Sequence, residues 1–111
     1  MNMKIGVPTN DGMVIETKFR GTRGFLVVTI DSGKIVHEEL RWNLLSEIFT
    51  SEHGDLYNLC DCDAVIIKEI GTCHCARLKA DSKEIIRTTE TDIIKVFGEF
   101  LNDGRKNFIT I

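Results

Sequence analysis

The stretch Cys60-Asp61-Cys62-Asp63-Ala64-Val65-Ile66-Ile67-Lys68-Glu69-Ile70-Gly71-Thr72-Cys73-His74-Cys75 decides the architecture. Its centre, Ala64 to Ile67, has no polar break. A short continuous apolar run suits a central strand covered on both faces rather than a surface strand with one wet side. Beyond Gly71 a helix is expected to begin, with Thr72 as its cap and Leu78 on its inner face. Glu84 to Arg87 reads as the next strand. Thr89-Glu90-Thr91-Asp92 has the form of a helix start, followed by Ile93, Ile94, Phe97, Phe100 and Leu101 at helical spacing and by Gly104 as a stop.

Upstream, Lys4 to Pro8 reads as a short buried strand stopped by proline, with a turn at Asn10-Asp11-Gly12. Phe25 to Ile30 and Lys34 to Leu40 flank the tight turn Asp31-Ser32-Gly33 and form a hairpin. Trp42 to Ser51 is ambiguous, and Asp55 to Leu59 belongs to a helix with His53-Gly54 near its start. The tail from Phe108 to Ile111 either adds an edge strand or frays. A leading hairpin followed by strand–helix alternation implies an α/β fold: a mixed five-stranded sheet with helices on its faces.

At 111 residues and 42% hydrophobic, the chain is long enough for one cored domain, expected to span residues 1–111. A net charge of -3 lacks the footprint of a nucleic-acid binder. Lys18, Arg20 and Arg23 cluster locally and could meet an anion or simply face solvent. The opening apolar stretch is broken by Gly6 and Pro8, so it is neither a signal peptide nor a membrane span, and no run approaches the roughly 18 apolar residues a spanning helix needs. A cytoplasmic location is expected, where clustered cysteines stay thiols or become ligands.

All four cysteines lie between positions 60 and 75, but the predicted strand divides them. At about 3.3 Å per residue the two pairs would stand on the order of 15–20 Å apart. One tetrahedral four-cysteine site is thereby disfavoured, and Cys-x-Cys is not a common zinc spacing, so zinc fits less well than a cluster. Cys60 and Cys62 read as small buried hydrophobes. Cys73, His74 and Cys75 follow the strand, at the end of an open α/β sheet where ligands collect. A helix N-terminus there favours thiolate, and two thiols with an imidazole form a candidate soft-metal patch. One such patch gives two or three ligands, so a second chain, an exogenous cluster or the first loop would complete it. That loop, with Asn10, Asp11, Lys18, Phe19 and Arg20 and the amides of Gly12 and Gly21, should reach the same sheet end and hold an anionic ligand. No phosphate loop, dinucleotide fingerprint or nucleophile elbow is present. His37 reads as a surface partner, and His53 has no evident acid or nucleophile beside it.

The sequence Met3-Lys4-Ile5-Gly6-Val7-Pro8-Thr9-Asn10-Asp11-Gly12, then Phe19, the hairpin from Phe25 to Val36, His53-Gly54, Cys62 to Gly71, Leu78-Lys79-Ala80 and Thr91 to Leu101 resemble, in order, the dinitrogenase iron–molybdenum cofactor biosynthesis family. The resemblance runs over about residues 3–104. It implies a ribonuclease H-like fold without nuclease function, and a non-enzymatic protein that binds or carries iron–sulfur-type cofactors or their precursors. The expected cofactor is then an iron–sulfur or iron–molybdenum-type cluster, with Cys73, His74 and Cys75 as metal ligands and Asn10, Asp11, Lys18, Arg20 and Gly71 around it. Expected partners are a cluster donor or acceptor protein, with a homodimer compatible and no nucleic acid or membrane. Members commonly carry His-Phe-Gly-Arg where this chain has Lys18-Phe19-Arg20-Gly21, and Gly-Pro-Arg-Ala or similar where it has Gly71-Thr72-Cys73-His74-Cys75. The alternatives are a thiol redox or metal-handling protein using Cys73 and Cys75, and a protein-interaction domain that binds no metal.

Overall fold

The computed structural model describes residues 2–19, 21–43, 54–104 and 108–111. Arg20, His53 and most of the ambiguous stretch after Trp42 lie outside the described residues. The elements are β1 (Asn2–Thr9), β2 (Gly24–Asp31), β3 (Lys34–Trp42), a 3₁₀ helix (Gly54–Leu59), β4 (Ala64–Ile67), α1 (Thr72–Ala80), β5 (Glu84–Arg87), α2 (Ile93–Asp103) and β6 (Ile109–Thr110). The strands form one mixed sheet in the order β3-β2-β1-β4-β5-β6. β1, β2 and β3 are antiparallel neighbours, β1, β4 and β5 run parallel, and β6 returns antiparallel on β5.

Two hydrophobic layers explain the unbroken run in β4. Ala64 and Ile66 join Ile5, Val7, Leu26, Val28 and Ile86 beneath Ile93, Val96, Phe97 and Phe100 of α2. Val65 and Ile67 face the other way, with Phe25, Val27 and Ile85, toward Leu56, Leu59, Phe19 and Leu78 of α1. Successive strand residues point to opposite faces, so a strand with a layer on each side must be apolar throughout. Each buried Val, Ile, Leu or Phe among them contributes about 1.5–3 kcal/mol.

Several expectations need correction. The sheet has six strands, not five, because the C-terminal tail does not fray. Phe108 is buried with its ring 5.9 Å from that of Phe100, and the Ile111 amide donates to Ile85 O at 2.9 Å. Pro8 does not end β1, which continues to Thr9. β1 pairs with β4 only at Ile5 and Gly6, so the missing amide of Pro8 costs no ladder bond on that side, and its carbonyl accepts the Glu16 amide at 2.9 Å. Gly71, not Thr72, is the N-cap of α1, and Thr72 is its first helical residue. α2 is capped by Asp92, whose carboxylate accepts the Ile94 amide at 2.9 Å, and Gly104 closes it at φ 60°.

The β2–β3 hairpin turns on Ser32 and Gly33 at φ 54° and 78°, the mirror-image turn whose twist matches the strands. Thr29 pairs with His37 but Ile30 with Ile35, leaving Val36 as a bulge. His37 is exposed with Nε2 3.6 Å from Glu39 Oε2, a surface partner as expected.

An ion-pair network clamps the amino end of β4. Arg41 donates to Asp61 from Nη1 at 2.5 Å and Nη2 at 3.0 Å, to Glu39 at 2.6 Å and to Asn58 O at 2.8 Å. Lys4 Nζ lies 3.0 Å from Asp61 Oδ2. The Arg41 guanidinium, helped by Lys4, holds the Asp61 carboxyl well below the usual carboxylate range. A depressed folded-state pKa stabilises above the ordinary aspartate value and is lost as pH falls through and below it. With 40% of the Asp61 side chain exposed, solvent screening limits the contribution to about 1 kcal/mol. Asp61→Asn should therefore lower thermal stability at neutral pH, and the gap to wild type should close between about pH 5 and about pH 2. A gap undiminished in acid would rule out the ion pair as its source.

Candidate functional site

The candidate site lies at the carboxyl ends of β1 and β4, where two loops meet. The loop after β1 is built on its own polar side chains. The Asp11 carboxylate accepts the amides of Met13 at 2.8 Å and Val14 at 3.1 Å, and these bonds hold its carboxyl below the ordinary range. Asn10 Oδ1 accepts the Arg23 amide at 2.9 Å. Thr9 Oγ1 accepts the Gly12 amide at 2.9 Å and donates to Val14 O at 2.7 Å, while Gly12 sits at φ 82°. Asn10 and Asp11, expected around a ligand, thus spend these oxygens on shaping the loop.

The loop is then fastened to the chain leaving β4. The Phe19 amide donates to Glu69 O at 3.3 Å, and the Glu69 amide donates to Thr17 O at 3.1 Å. These bonds form a parallel bridge between Lys18 and Glu69. Phe19 is 1% exposed, with its ring 5.3 Å from Phe25 and 5.5 Å from His74, edge-on to the latter. The first loop therefore does reach the end of the sheet where α1 begins. Lys18 is exposed there, and Arg20 lies outside the described residues.

α1 starts at the Gly71 cap, at φ −73° and ψ 159°, and a glycine there supplies no side-chain cap to the first turn. Among the described residues, a Cβ on Gly71 would meet nothing within 4 Å. The first amides of a helix have no internal partner and carry partial positive charge. Cys73 is exposed, His74 is 6% exposed, and Cys75 is half-buried against the core layer containing Phe19 and Leu78. Consecutive helical residues diverge by about 100°, so the three groups expected to act together do not converge. Among the described residues no group of three or more His, Cys, Asp and Glu side chains could hold a metal ion.

The other cysteine pair sits at the opposite end of β4. Cys62 is 4% exposed, and burial, reinforced by the Asp61 charge, pushes its thiol up to about 11. It is the small buried hydrophobe expected, but Cys60 is exposed and is not. Lys83 Nζ donates to the carbonyls of Cys60 at 3.0 Å and Cys62 at 2.7 Å, so this turn is held by its backbone. The contributors not anticipated are Thr17 and Glu69, which act through their main chains; Phe19 was expected in this loop beside a ligand and instead anchors it in the core.

No helix among the described residues is long and apolar enough to cross a membrane. No curated protein matches the chain. A crystal structure of a candidate dinitrogenase from Methanocaldococcus jannaschii has a TM-score of 0.78 at 20% identity, covering 100% of this chain and 96% of that one. The apo orange protein of Desulfovibrio gigas gives 0.72 at 18%, covering 92% and 89%. A candidate NifB protein from Thermotoga gives 0.69 at 16%, covering 93% and 90%. These likenesses establish the fold alone. The model of the family described as dinitrogenase iron-molybdenum cofactor matches residues 1–103, and the chain belongs to that family.

Proposed function

We propose that this chain is a non-enzymatic binding or carrier protein for an iron–sulfur-type cluster or a precursor of one, built on a ribonuclease H-like scaffold. The strand order and the family support the scaffold and the class of cargo. The observation that carries the proposal is the Lys18–Glu69 bridge. It brings a cationic side chain and the exposed Cys73 thiol to one sheet end, beside a helix start that no side chain caps. A soft thiolate binds iron, while a lysine and free amides balance an anionic cluster. Cys73 is the ligand a docking cluster would meet first, and Cys75 would join it only if the first turn of α1 opened. One chain then offers one ready thiol, so cargo would be completed by a second copy or by ligands it brings with it. Four free cysteines fit a reducing, cytoplasmic setting.

The thiol-exchange alternative is less well supported. Cys73 and Cys75 stand about 200° apart around α1, one outward and one inward, and bridging them would unwind the turn. Anaerobic reconstitution with ferrous iron and sulfide should give visible charge-transfer absorption. Cys73→Ser should abolish it, and Cys60→Ser should leave it intact. Reconstitution of a Cys73→Ser, Cys75→Ser double variant to the wild-type level would refute the assignment.

A further inference from the structure

The same geometry gives His74 a task other than ligation. Its ring is 6% exposed and edge-on to Phe19 at 5.5 Å, and Phe19 in turn rests on Phe25 at 5.3 Å. Phe25 belongs to β2, Phe19 to the first loop and His74 to the first turn of α1. This row of rings therefore ties the sheet, the loop and the helix start together. The Phe19–Glu69 and Glu69–Thr17 bonds join the same loop to the chain two residues ahead of Gly71, along the backbone. The α1 start has no side-chain cap to hold it from the solvent side. Its placement relative to Lys18 thus depends on its inward contacts, among which the His74–Phe19 pair reaches the loop bearing Lys18.

We infer that His74 is a positioning residue, which sets the Cys73 thiol against the Lys18 loop by packing on Phe19, and is not a ligand. The inference rests on the proposed cluster role only for its consequence. The packing itself is read without any cluster. Aromatic contacts of this kind support changes of about two- to tenfold in a local opening equilibrium. Opening of the first turn exposes the half-buried Cys75 thiol, so it can be followed in metal-free protein as the alkylation rate of Cys75 relative to the already exposed Cys73, resolved by tandem mass spectrometry.

His74→Ala should raise the Cys75 rate about two- to tenfold, Phe19→Leu should do the same, and the double variant should fall short of the product of the two. His74→Phe, which keeps a ring against Phe19 but not the other interaction of the imidazole, should bring the rate below that of His74→Ala and should still take up iron and sulfide anaerobically. Unchanged rates in His74→Ala, or fully multiplicative effects with Phe19→Leu, would overturn the positioning role. Loss of cluster absorption in His74→Phe, with circular dichroism and alkylation rates as in wild type, would make His74 a ligand and overturn it equally. Failure of the wild-type protein to take up any cluster would refute the proposed function, while the alkylation rates would still decide the role of His74.

Discussion

Phe25→Ala should lower the unfolding free energy by about 3–5 kcal/mol, the range for truncating a packed aromatic core residue. Phe25 is 0% exposed, lies on β2, one strand in from the sheet edge, and supports Phe19 from below. Single domains are stable by only about 5–15 kcal/mol in all, so this change removes about a fifth or more of the margin. Urea denaturation followed by far-ultraviolet circular dichroism measures it. The loss would have a second consequence, since Phe19 would rest over a cavity and the loop bearing Lys18 would lose its footing. A cost under about 1 kcal/mol would mean that the two-layer packing of β2 is not what holds the domain together.

One residue earlier, adding an atom should be about as harmful as removing six. A Cβ on Gly24 would stand 2.5 Å from Arg41 O, 2.7 Å from Trp42 Cε3 and 3.1 Å from Trp42 Cα. Two of these atoms are backbone of β3, so the clash is relieved only by moving the strand. Overpacking typically costs 1–3 kcal/mol and sometimes more, so Gly24→Ala should cost about 3 kcal/mol. Trp42 is the sole tryptophan, so its emission reports the displacement directly. Unchanged stability together with unchanged emission would show that β3 is free to slide away from β2.

The parts of the fold that were legible in the sequence are those whose signal is local. Ala64 to Ile67 announced a two-sided strand because both alternating faces are apolar, and the Asp31-Ser32-Gly33 turn carried residues that tolerate positive φ. Features that depend on distant contacts were not legible. β6 is two residues long and exists because Phe108 docks on Phe100 of α2. Pro8 remains in a strand because β4 pairs with β1 over only two residues, which nothing near Pro8 discloses. At the candidate site, spacing placed Cys73, His74 and Cys75 together in sequence but gave no direction to their side chains. Direction came from Phe19, and through it from Phe25, which are 55 and 49 residues away in sequence from His74, as the numbers 74 − 19 and 74 − 25 show. Asn10 and Asp11 were correctly placed in a loop at the right sheet end, yet the loop consumes the oxygens that a ligand was expected to meet.

The bulge in β3 bears on how this protein behaves at high concentration. β3 ends the strand order, and among the described residues no strand lies beyond it. It exposes Val36, Leu40 and Trp42, the kind of apolar edge onto which another chain's strand can add. The extra residue at Val36 breaks the regular rhythm of outward amides and carbonyls, and Lys34, Glu38 and Glu39 line the same edge with charge. An incoming strand would find neither an even hydrogen-bonding comb nor a neutral surface, so the fold carries its own guard against fibrous self-association while keeping an apolar flank in solvent.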